Sequence, residues 1–199
     1  MLILGLTGQS GAGKGVFSDA VKEKDGVHVI DTDVTAREVV KCGEKCLNEL
    51  ACFFGGEILQ KDGSLDRKRL AELAFSDEEK HGMLNKITHC HIMKKIEEWL
   101  DECRKNGAIC AVVDAPLLFE SGADKLCNVT VGIIAPYEKR LERIISRDGL
   151  DEKSARLRLD AQPDDVFFRE KCDYILENTG SQAEFKARAK QLVDGLLKE

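Results

Sequence analysis

The sequence lacks an excess of positive charge, has few prolines and contains no long hydrophobic run. Its net charge of -6 and pI of about 5.4 argue against the clustered basic surface that a nucleic acid or an anionic membrane would need. With only three prolines and no repeat, it has no proline-rich linker. Residues 1–5 carry no basic side chain and form only a short apolar run, so we expect neither a signal peptide nor a membrane span. These absences predict a cytoplasmic protein whose partner is neither a nucleic acid nor a membrane.

The eight cysteines follow no recognisable metal-binding or disulfide pattern. Without a secretory signal, we expect them to stay reduced. Cys42, Cys46 and Cys52 lack a second cysteine pair at zinc-binding spacing, which favours ordinary core or surface positions. His89 and His91 are two positions apart, so on a helix they point to different faces and are not expected to share a metal ion.

Short apolar runs alternate with helical patterns along the chain. The length of 199 residues and a hydrophobic content of 43% are enough for one sizeable core. The alternation predicts an α/β fold of three layers, in which helices cover a parallel sheet and ligands bind at the carboxyl ends of the strands. The apolar runs predict buried parallel strands over residues 2–6, 27–30, 109–113, 129–134 and 174–176.

Two long segments interrupt this alternation. The first, 35–107, is too long for one crossover helix and is expected to form a helical domain, with helices over 67–75 and 84–100. Leu65 and Asp66 form the predicted N-terminal signal of the first of these helices. The second, 137–162, is rich in arginine and acidic residues, which favours a mobile lid. A capping box at Ser181 predicts a last helix that reaches Leu197. The nucleotide-binding core is then expected to comprise residues 1–34, 108–136 and 163–199.

Residues 8–14 read GQSGAGK and fit the phosphate-binding pattern G-x-x-x-x-G-K. The string follows an apolar strand and opens a helix, which is the context that the pattern requires. Glycines allow backbone N–H groups to turn towards a phosphate chain, while Lys14 neutralises the β- and γ-phosphates. The sequence therefore predicts a P-loop that binds a nucleoside triphosphate, with the expected contacts at Gly8, Gly11, Ala12, Gly13, Lys14, Gly15 and Val16.

Position 15 departs from the P-loop pattern. A serine or threonine normally follows the lysine and binds Mg²⁺ through its hydroxyl group, but this chain has Gly15. Ser18 lies three residues further on, about 4.5 Å along the helix axis, and is not expected to replace the missing hydroxyl. The metal would then be held by water, substrate phosphates and a carboxylate. No protein ligand is assigned firmly, and Asp33 and Asp114 are the candidate carboxylates.

Carboxylates follow two further predicted strands. The second strand is followed by Asp31 and Asp33, and the third by Asp114. In a parallel sheet these side chains lie on the same rim as the P-loop. In phosphoryl transfer one carboxylate can orient the acceptor hydroxyl and take its proton, while another reaches the metal. The alternatives are helix capping by Asp31 or Asp33 and a simple turn at Asp114.

Three arginines lie in the predicted lid. Arg140, Arg143 and Arg147 are spaced by three and four residues, so they share one face of a helix. Guanidinium groups placed opposite a P-loop stabilise the charge on a transferring phosphoryl group. The alternative for each arginine is a solvated surface position.

Taken together, these segments resemble dephospho-CoA kinases. The resemblance extends from Leu4 to Asn178 and depends on two combinations, Asp31-x-Asp33 with Ala36-Arg37, and Asp114-x-Pro116 with residues 117–120. It implies a P-loop NTPase core, a helical domain that holds the coenzyme moiety, and a lid. It also implies that ATP, with Mg²⁺, donates its γ-phosphoryl group to the ribose 3′-hydroxyl of dephospho-CoA.

The resemblance also implies roles for individual residues. Asp33 is implied as the base, and Lys14 and Arg147 as the other catalytic groups. Arg147 and Asn178 are implied to contact the nucleotide, with Asn178 near adenine, and Arg143 is expected to contact it because it shares the helix face of Arg147. The remaining matches are implied to shape the acceptor site together with Asp33, namely Arg37, His89, Asp114, Leu117, Leu118 and Glu120.

Three positions differ from the family pattern. They are Gly15, Cys90 in place of a proline, and Phe168 in place of a common lysine. Only Gly15 touches the chemistry, and it leaves open a P-loop nucleotide binder with weak or no catalysis. A nucleoside or nucleoside-monophosphate kinase is the other alternative, because that group shares the P-loop, the lid and the parallel core. We expect a monomer or a weak homo-oligomer.

Overall fold

The computed structural model of the protein describes residues 1–198. The chain divides into two compact units, one formed by Met1–Ile30 together with the chain from Glu102 onward, the other by Asp31–Asp101. The second unit covers most of the segment for which a helical domain is expected. No helix in the described part of the chain is long and apolar enough to cross a membrane. All eight cysteines carry free thiols.

A five-stranded sheet has the order β2-β3-β1-β4-β5. Strand β1 pairs in parallel with β3 and β4, and β4 pairs in parallel with β5. The five predicted strands are confirmed, and no predicted end differs from the observed one by more than two residues. The α/β class with a parallel sheet is confirmed as well. The strands are β1 Leu2–Gly8, β2 Val27–Asp31, β3 Cys110–Asp114, β4 Val129–Ile134 and β5 Tyr174–Glu177.

The centre of the sheet is buried on both faces, which explains why β3 and β4 consist mostly of apolar residues. Helices α1 (Lys14–Val21) and α9 (Gln182–Leu196) pack together over it. Their fully buried rings, Phe17 and Phe185, belong to the same core as the side chains of β1. The predicted capping box is confirmed, since Ser181 and Glu184 bond to each other's backbone at the start of α9.

The segment predicted as a lid forms a helical hairpin of α6 (Tyr137–Asp148) and α7 (Glu152–Asp160), which is followed by α8 (Asp165–Lys171). Gly149 ends α6 in the left-handed conformation that glycine adopts at helix C-termini. The hairpin has a small apolar core of its own, formed by Leu141, Ile144, Ala155 and Leu159. Few apolar residues are therefore enough to hold the two helices together.

The second unit consists of α2 (Thr32–Glu38), α3 (Lys45–Phe54), α4 (Arg67–Ala74) and most of α5 (Glu78–Lys105). Asp66 caps α4 by accepting a hydrogen bond from the Arg69 N–H group, as its position in the sequence predicts. Helix α5 begins six residues before the predicted start at Leu84. Its first turn holds Glu78 and Glu79, which interact favourably with the positive end of a helix. The core of the second unit is formed by apolar side chains, among them Val39, Leu50, Ile58, Leu70 and Ala74.

Candidate active site

The P-loop connects β1 to α1, so strand, loop and helix follow one another as predicted. Three of its glycines have positive φ angles, 142° at Gly8, 76° at Gly11 and 116° at Gly13. A side chain at Gly8 would also place its Cβ atom 2.1 Å from the Ile133 carbonyl oxygen of the neighbouring strand. These glycines are therefore required by the backbone path and by the close packing of the loop on β4.

Lys14 opens α1 and folds back over the loop, where its Nζ atom donates a hydrogen bond to the Gly8 carbonyl oxygen at 3.1 Å. The positive end of α1 and the ammonium group thus lie at the same end of β1. Phosphates favour this combination of a helix N-terminus and a lysine. The loop is consistent with a triphosphate site, as the sequence predicts.

Two side chains bind the carbonyl groups of the loop. Arg143 on α6 donates from Nη1 to the Gly11 oxygen at 3.0 Å and to the Ala12 oxygen at 3.4 Å. Asn178, which directly follows β5 and is buried, donates from Nδ2 to the same Ala12 oxygen at 2.8 Å. Two of the three side chains outside the P-loop that are predicted to contact the nucleotide, Arg143 and Asn178, thus bond to the loop backbone. The contact of Asn178 with adenine stays a prediction.

Gln162 also contacts the P-loop, although no role was predicted for it from the sequence. Its Oε1 atom accepts a hydrogen bond from the Ser10 N–H group at 2.9 Å, and its Nε2 atom donates to the Ser10 hydroxyl group at 2.8 Å. Gln9 is buried and donates from Nε2 to the Pro163 carbonyl oxygen at 3.2 Å. In each of these two pairs the residues are more than 150 positions apart in the sequence, and no local pattern indicates the contact.

Asp114 ends β3 directly beside the P-loop strand, because Leu6 on β1 is its partner in the sheet register. Its carboxyl group is almost fully buried and accepts a hydrogen bond from the Ser18 hydroxyl group at 2.8 Å. Ser18 lies one helical turn after Lys14, so the two side chains share a face of α1. This spacing is the signal in the sequence that could have linked Ser18 to the site.

The packing around position 15 does not require a glycine. No atom lies within 4 Å of the position that a Cβ atom would occupy there, and its φ angle is not positive. A serine could therefore stand at this position without strain. The missing hydroxyl group is a chemical feature of the chain and has no steric cause in the fold.

The predicted acceptor residues after β3 divide into two kinds. Leu117 is 54% exposed, and Glu120 is exposed as well. Leu118 is fully buried beneath β1, where a Cβ atom at Gly5 would come within 2.9 Å of it. Leu118 therefore packs against β1, while Leu117 and Glu120 face solvent.

The three arginines of α6 have different environments. Arg140 is buried and donates from Nε to the Ala135 carbonyl oxygen at 3.1 Å, and this burial lowers its pKa. Arg147 is exposed and binds Asp148 through two hydrogen bonds of 2.7 and 2.9 Å. These bonds raise the pKa of Arg147 and lower that of Asp148. Of the three, Arg143 is the one bonded to the P-loop.

In the second unit, Asp31 and Asp33 differ in what they bind. The Asp31 carboxylate accepts hydrogen bonds from the N–H groups of Asp33 at 2.8 Å and Val34 at 3.2 Å, and so caps α2. The capping alternative thus applies to Asp31. Asp33 contributes its N–H group to this cap, while its side chain is exposed in the first turn of α2.

The other two predicted acceptor residues also belong to the second unit. Arg37 is exposed in the last turn of α2, and His89 is partly buried on α5. The Nε2 atom of His91 lies 3.0 Å from the Glu49 carboxyl group, which is consistent with a separate environment for the two histidines. No group of three or more metal-binding side chains occurs among residues 1–198.

Comparisons with known proteins agree with this geometry. A family model for dephospho-CoA kinases matches residues 2–184. A dephospho-CoA kinase of Corynebacterium glutamicum is 38% identical over 193 residues, which cover 97% of this chain and 98% of the relative. A solved structure from Thermus thermophilus has a TM-score of 0.84 at 32% identity and covers 98% of this chain and 97% of its own. A dephospho-CoA kinase from Campylobacter jejuni has a TM-score of 0.72 at 30% identity, with the same coverage.

The match is not confined to the P-loop, which many unrelated kinases share. It extends over the sheet, the helical second unit and the hairpin of α6 and α7, and it includes both motifs on which the resemblance depends. The chain belongs to the dephospho-CoA kinase family.

Proposed function

We propose that this protein transfers the γ-phosphoryl group of ATP to the ribose 3′-hydroxyl group of dephospho-CoA, which yields coenzyme A and ADP. The observation that carries the proposal is the P-loop with Lys14 at the start of α1, beside the buried carboxyl group of Asp114, in a chain of this family. Phosphoryl transfer requires a binding site for an anionic donor and a carboxylate that can bind the donor's metal ion. This end of the sheet offers both.

ATP is bound by the N–H groups of the P-loop, by the N-terminus of α1 and by Lys14. The loop glycines permit the backbone conformation in which successive N–H groups face an anion. Lys14 adds a positive charge for the β- and γ-phosphates. In the structure, the same ammonium group bonds to the Gly8 carbonyl oxygen, so binding ATP exchanges this bond for a contact with phosphate.

The residues present fit Mg²⁺, although Gly15 supplies no ligand. This ion prefers oxygen, keeps several waters and needs only one or two carboxylates beside the substrate phosphates. Asp114 would hold it, directly or through water, and Ser18 would orient the carboxyl group by its hydrogen bond of 2.8 Å. When bound, the ion supplies charge neutralisation on the β- and γ-phosphates.

Asp33 is assigned as the base that orients the acceptor hydroxyl group and takes its proton. The cap of α2 uses the carboxylate of Asp31, which leaves that of Asp33 exposed to an acceptor. The second unit is assigned to the coenzyme moiety, and the hairpin of α6 and α7 is assigned as the lid that carries Arg147. Arg37, His89, Leu117 and Glu120 are assigned to the acceptor site.

The test is ADP release at fixed Mg·ATP with dephospho-CoA, adenosine and AMP as separate acceptors. We expect ADP release with dephospho-CoA but not with adenosine or AMP. Phosphorus NMR of the product should show a new 3′-phosphate. A preference for AMP or adenosine would replace the proposal by a nucleotide or nucleoside kinase. ATP binding without ADP release for any acceptor would indicate a nucleotide-binding protein. Lys14→Met serves as the inactive control.

A further inference from the structure

Three side chains far from the P-loop in sequence hold its backbone from outside, and we call Arg143, Gln162 and Asn178 the loop brace. We infer that the loop brace preorganises the P-loop for ATP. Its members are positioning residues that act through the loop backbone. This inference rests on the proposed ATP site and adds to it residues outside the phosphate-binding motif.

The strongest geometric argument concerns the peptide group between Ala12 and Gly13. Its carbonyl oxygen accepts hydrogen bonds from Asn178 at 2.8 Å and from Arg143 at 3.4 Å. Because a trans peptide group is planar, its N–H bond points away from its carbonyl bond, and the described chain has no cis peptide. Two donors that fix this oxygen therefore also fix the direction of the Gly13 N–H bond, which points to the other side of the loop.

The neighbouring loop residues are fixed in the same way. Gln162 holds Ser10 through both its N–H group and its hydroxyl group. The Ala12 N–H group closes a turn onto the Gln9 carbonyl oxygen at 3.1 Å, and Arg143 holds the Gly11 oxygen at 3.0 Å. Each residue from Gln9 to Ala12 thus has a backbone group in a hydrogen bond before any phosphate is present.

The loop brace and the helix that carries Arg143 also explain two glycines of the motif. A Cβ atom at Gly13 would lie 2.4 Å from Nδ2 of Asn178, and one at Gly11 would lie 2.7 Å from the Arg140 carbonyl oxygen on α6. Both positions have positive φ angles as well. These glycines are needed where the supporting elements approach the loop, in addition to any need on the phosphate side.

Preorganisation increases affinity because the loop does not have to be ordered when the ligand binds. ATP affinity should therefore fall when the bonds of Gln162 to the loop are removed, although Gln162 is not among the predicted nucleotide contacts. Gln162 is the best residue to test, since it is only partly buried and its removal leaves the apolar core intact. Ser10→Ala removes one of its two hydrogen bonds from the other side.

The experiment measures ATP binding without acceptor by calorimetry for the wild-type protein, Gln162→Ala, Ser10→Ala and the double variant. Gln162→Ala should weaken ATP binding about tenfold, because two hydrogen bonds that order the loop are lost. Ser10→Ala should weaken it less, and the double variant should bind no more weakly than Gln162→Ala. In steady-state assays the KM for ATP should rise, while the KM for dephospho-CoA stays unchanged.

Gln191→Ala, which removes an exposed glutamine from α9, is the matched control and should bind ATP like the wild-type protein. Unchanged ATP affinity in Gln162→Ala would overturn the inference. It would also be overturned if the losses of ATP binding free energy in the two single variants added up in the double variant, because the two residues would then act independently. Ser10→Ala removes only one loop hydroxyl group, so it provides a separate test if Gln162→Ala fails to fold. Weaker ATP binding in Ser10→Ala then supports the inference, and unchanged binding overturns it. If the wild-type protein binds ATP but transfers no phosphoryl group, the proposed function fails while the loop brace can still be tested.

Discussion

The ends of β2 and β3 both carry a carboxylate but use it in opposite ways. At the end of β2, Asp31 is exposed and binds N–H groups two and three residues further along its own chain. At the end of β3, Asp114 is buried and binds the hydroxyl group of Ser18, 96 residues away. The first contact is a local helix cap, and the second joins two elements of the core. A carboxylate after a strand therefore does not indicate its role until its partner is known.

The largest effect should come from Asp33, whose side chain takes no part in the cap. Asp33→Asn should lower kcat about a thousandfold, the effect expected for the loss of a general base. The KM for ATP should change little, because the P-loop is unaltered. Steady-state ADP release, with ATP affinity measured separately, would check both expectations.

Asp31→Asn is the matched control for this variant. It removes the same charge at the same strand end, but asparagine caps a helix as well as aspartate does. We expect kcat to stay within about twofold of the wild-type value, in line with a surface position. A large loss of kcat in Asp31→Asn together with an active Asp33→Asn would reverse the roles of the two residues.

The next effect concerns the buried pair at the end of β3. Ser18→Ala removes the hydrogen bond that orients the Asp114 carboxyl group. Groups that orient a metal-binding side chain typically contribute about tenfold to metal affinity. We therefore expect about tenfold weaker Mn²⁺ binding to the complex with a non-hydrolysable ATP analogue, measured by electron paramagnetic resonance. Ser18→Thr keeps the hydroxyl group and should retain most of the affinity. Equal Mn²⁺ affinity in Ser18→Ala would separate Ser18 from the metal site.

Gly15→Ser tests the proposed metal site at the position where the P-loop lacks a hydroxyl group. The empty space around Gly15 accommodates the side chain, and its hydroxyl group can serve as the ligand that this P-loop lacks. Mn²⁺ affinity and kcat should both rise severalfold, and the substitution should restore part of the affinity lost in Ser18→Ala. Gly15→Ala fills the same space without an oxygen and is the control. Similar gains of Mn²⁺ affinity and kcat in Gly15→Ser and Gly15→Ala would mean that the effect comes from a more stable α1, since replacing glycine by either residue favours the helix.

The sequence predicted those parts of the fold and site that depend on neighbouring residues. The apolar runs of the strands, the P-loop string and the caps at Asp66 and Ser181 all lie within a few positions of the structure that they specify. The bonds of Gln162 to Ser10 and of Ser18 to Asp114 depend instead on which elements the fold brings together. The burial of Leu118 beneath Gly5 has the same origin, since nothing in the local sequence distinguishes it from its exposed neighbour Leu117.

The smallest effect tests the local side of the comparison. Asp31→Ala removes the cap of α2 and should lower the free energy of unfolding by about 1 kcal/mol, measured by urea denaturation. Asp33→Ala keeps the cap and loses only the favourable interaction of a carboxylate with the first turn, so it should cost about 0.5 kcal/mol. If Asp33→Ala were the more destabilising of the two, its carboxylate would be the group that holds the helix end. Asp31 would then be the carboxylate available to an acceptor.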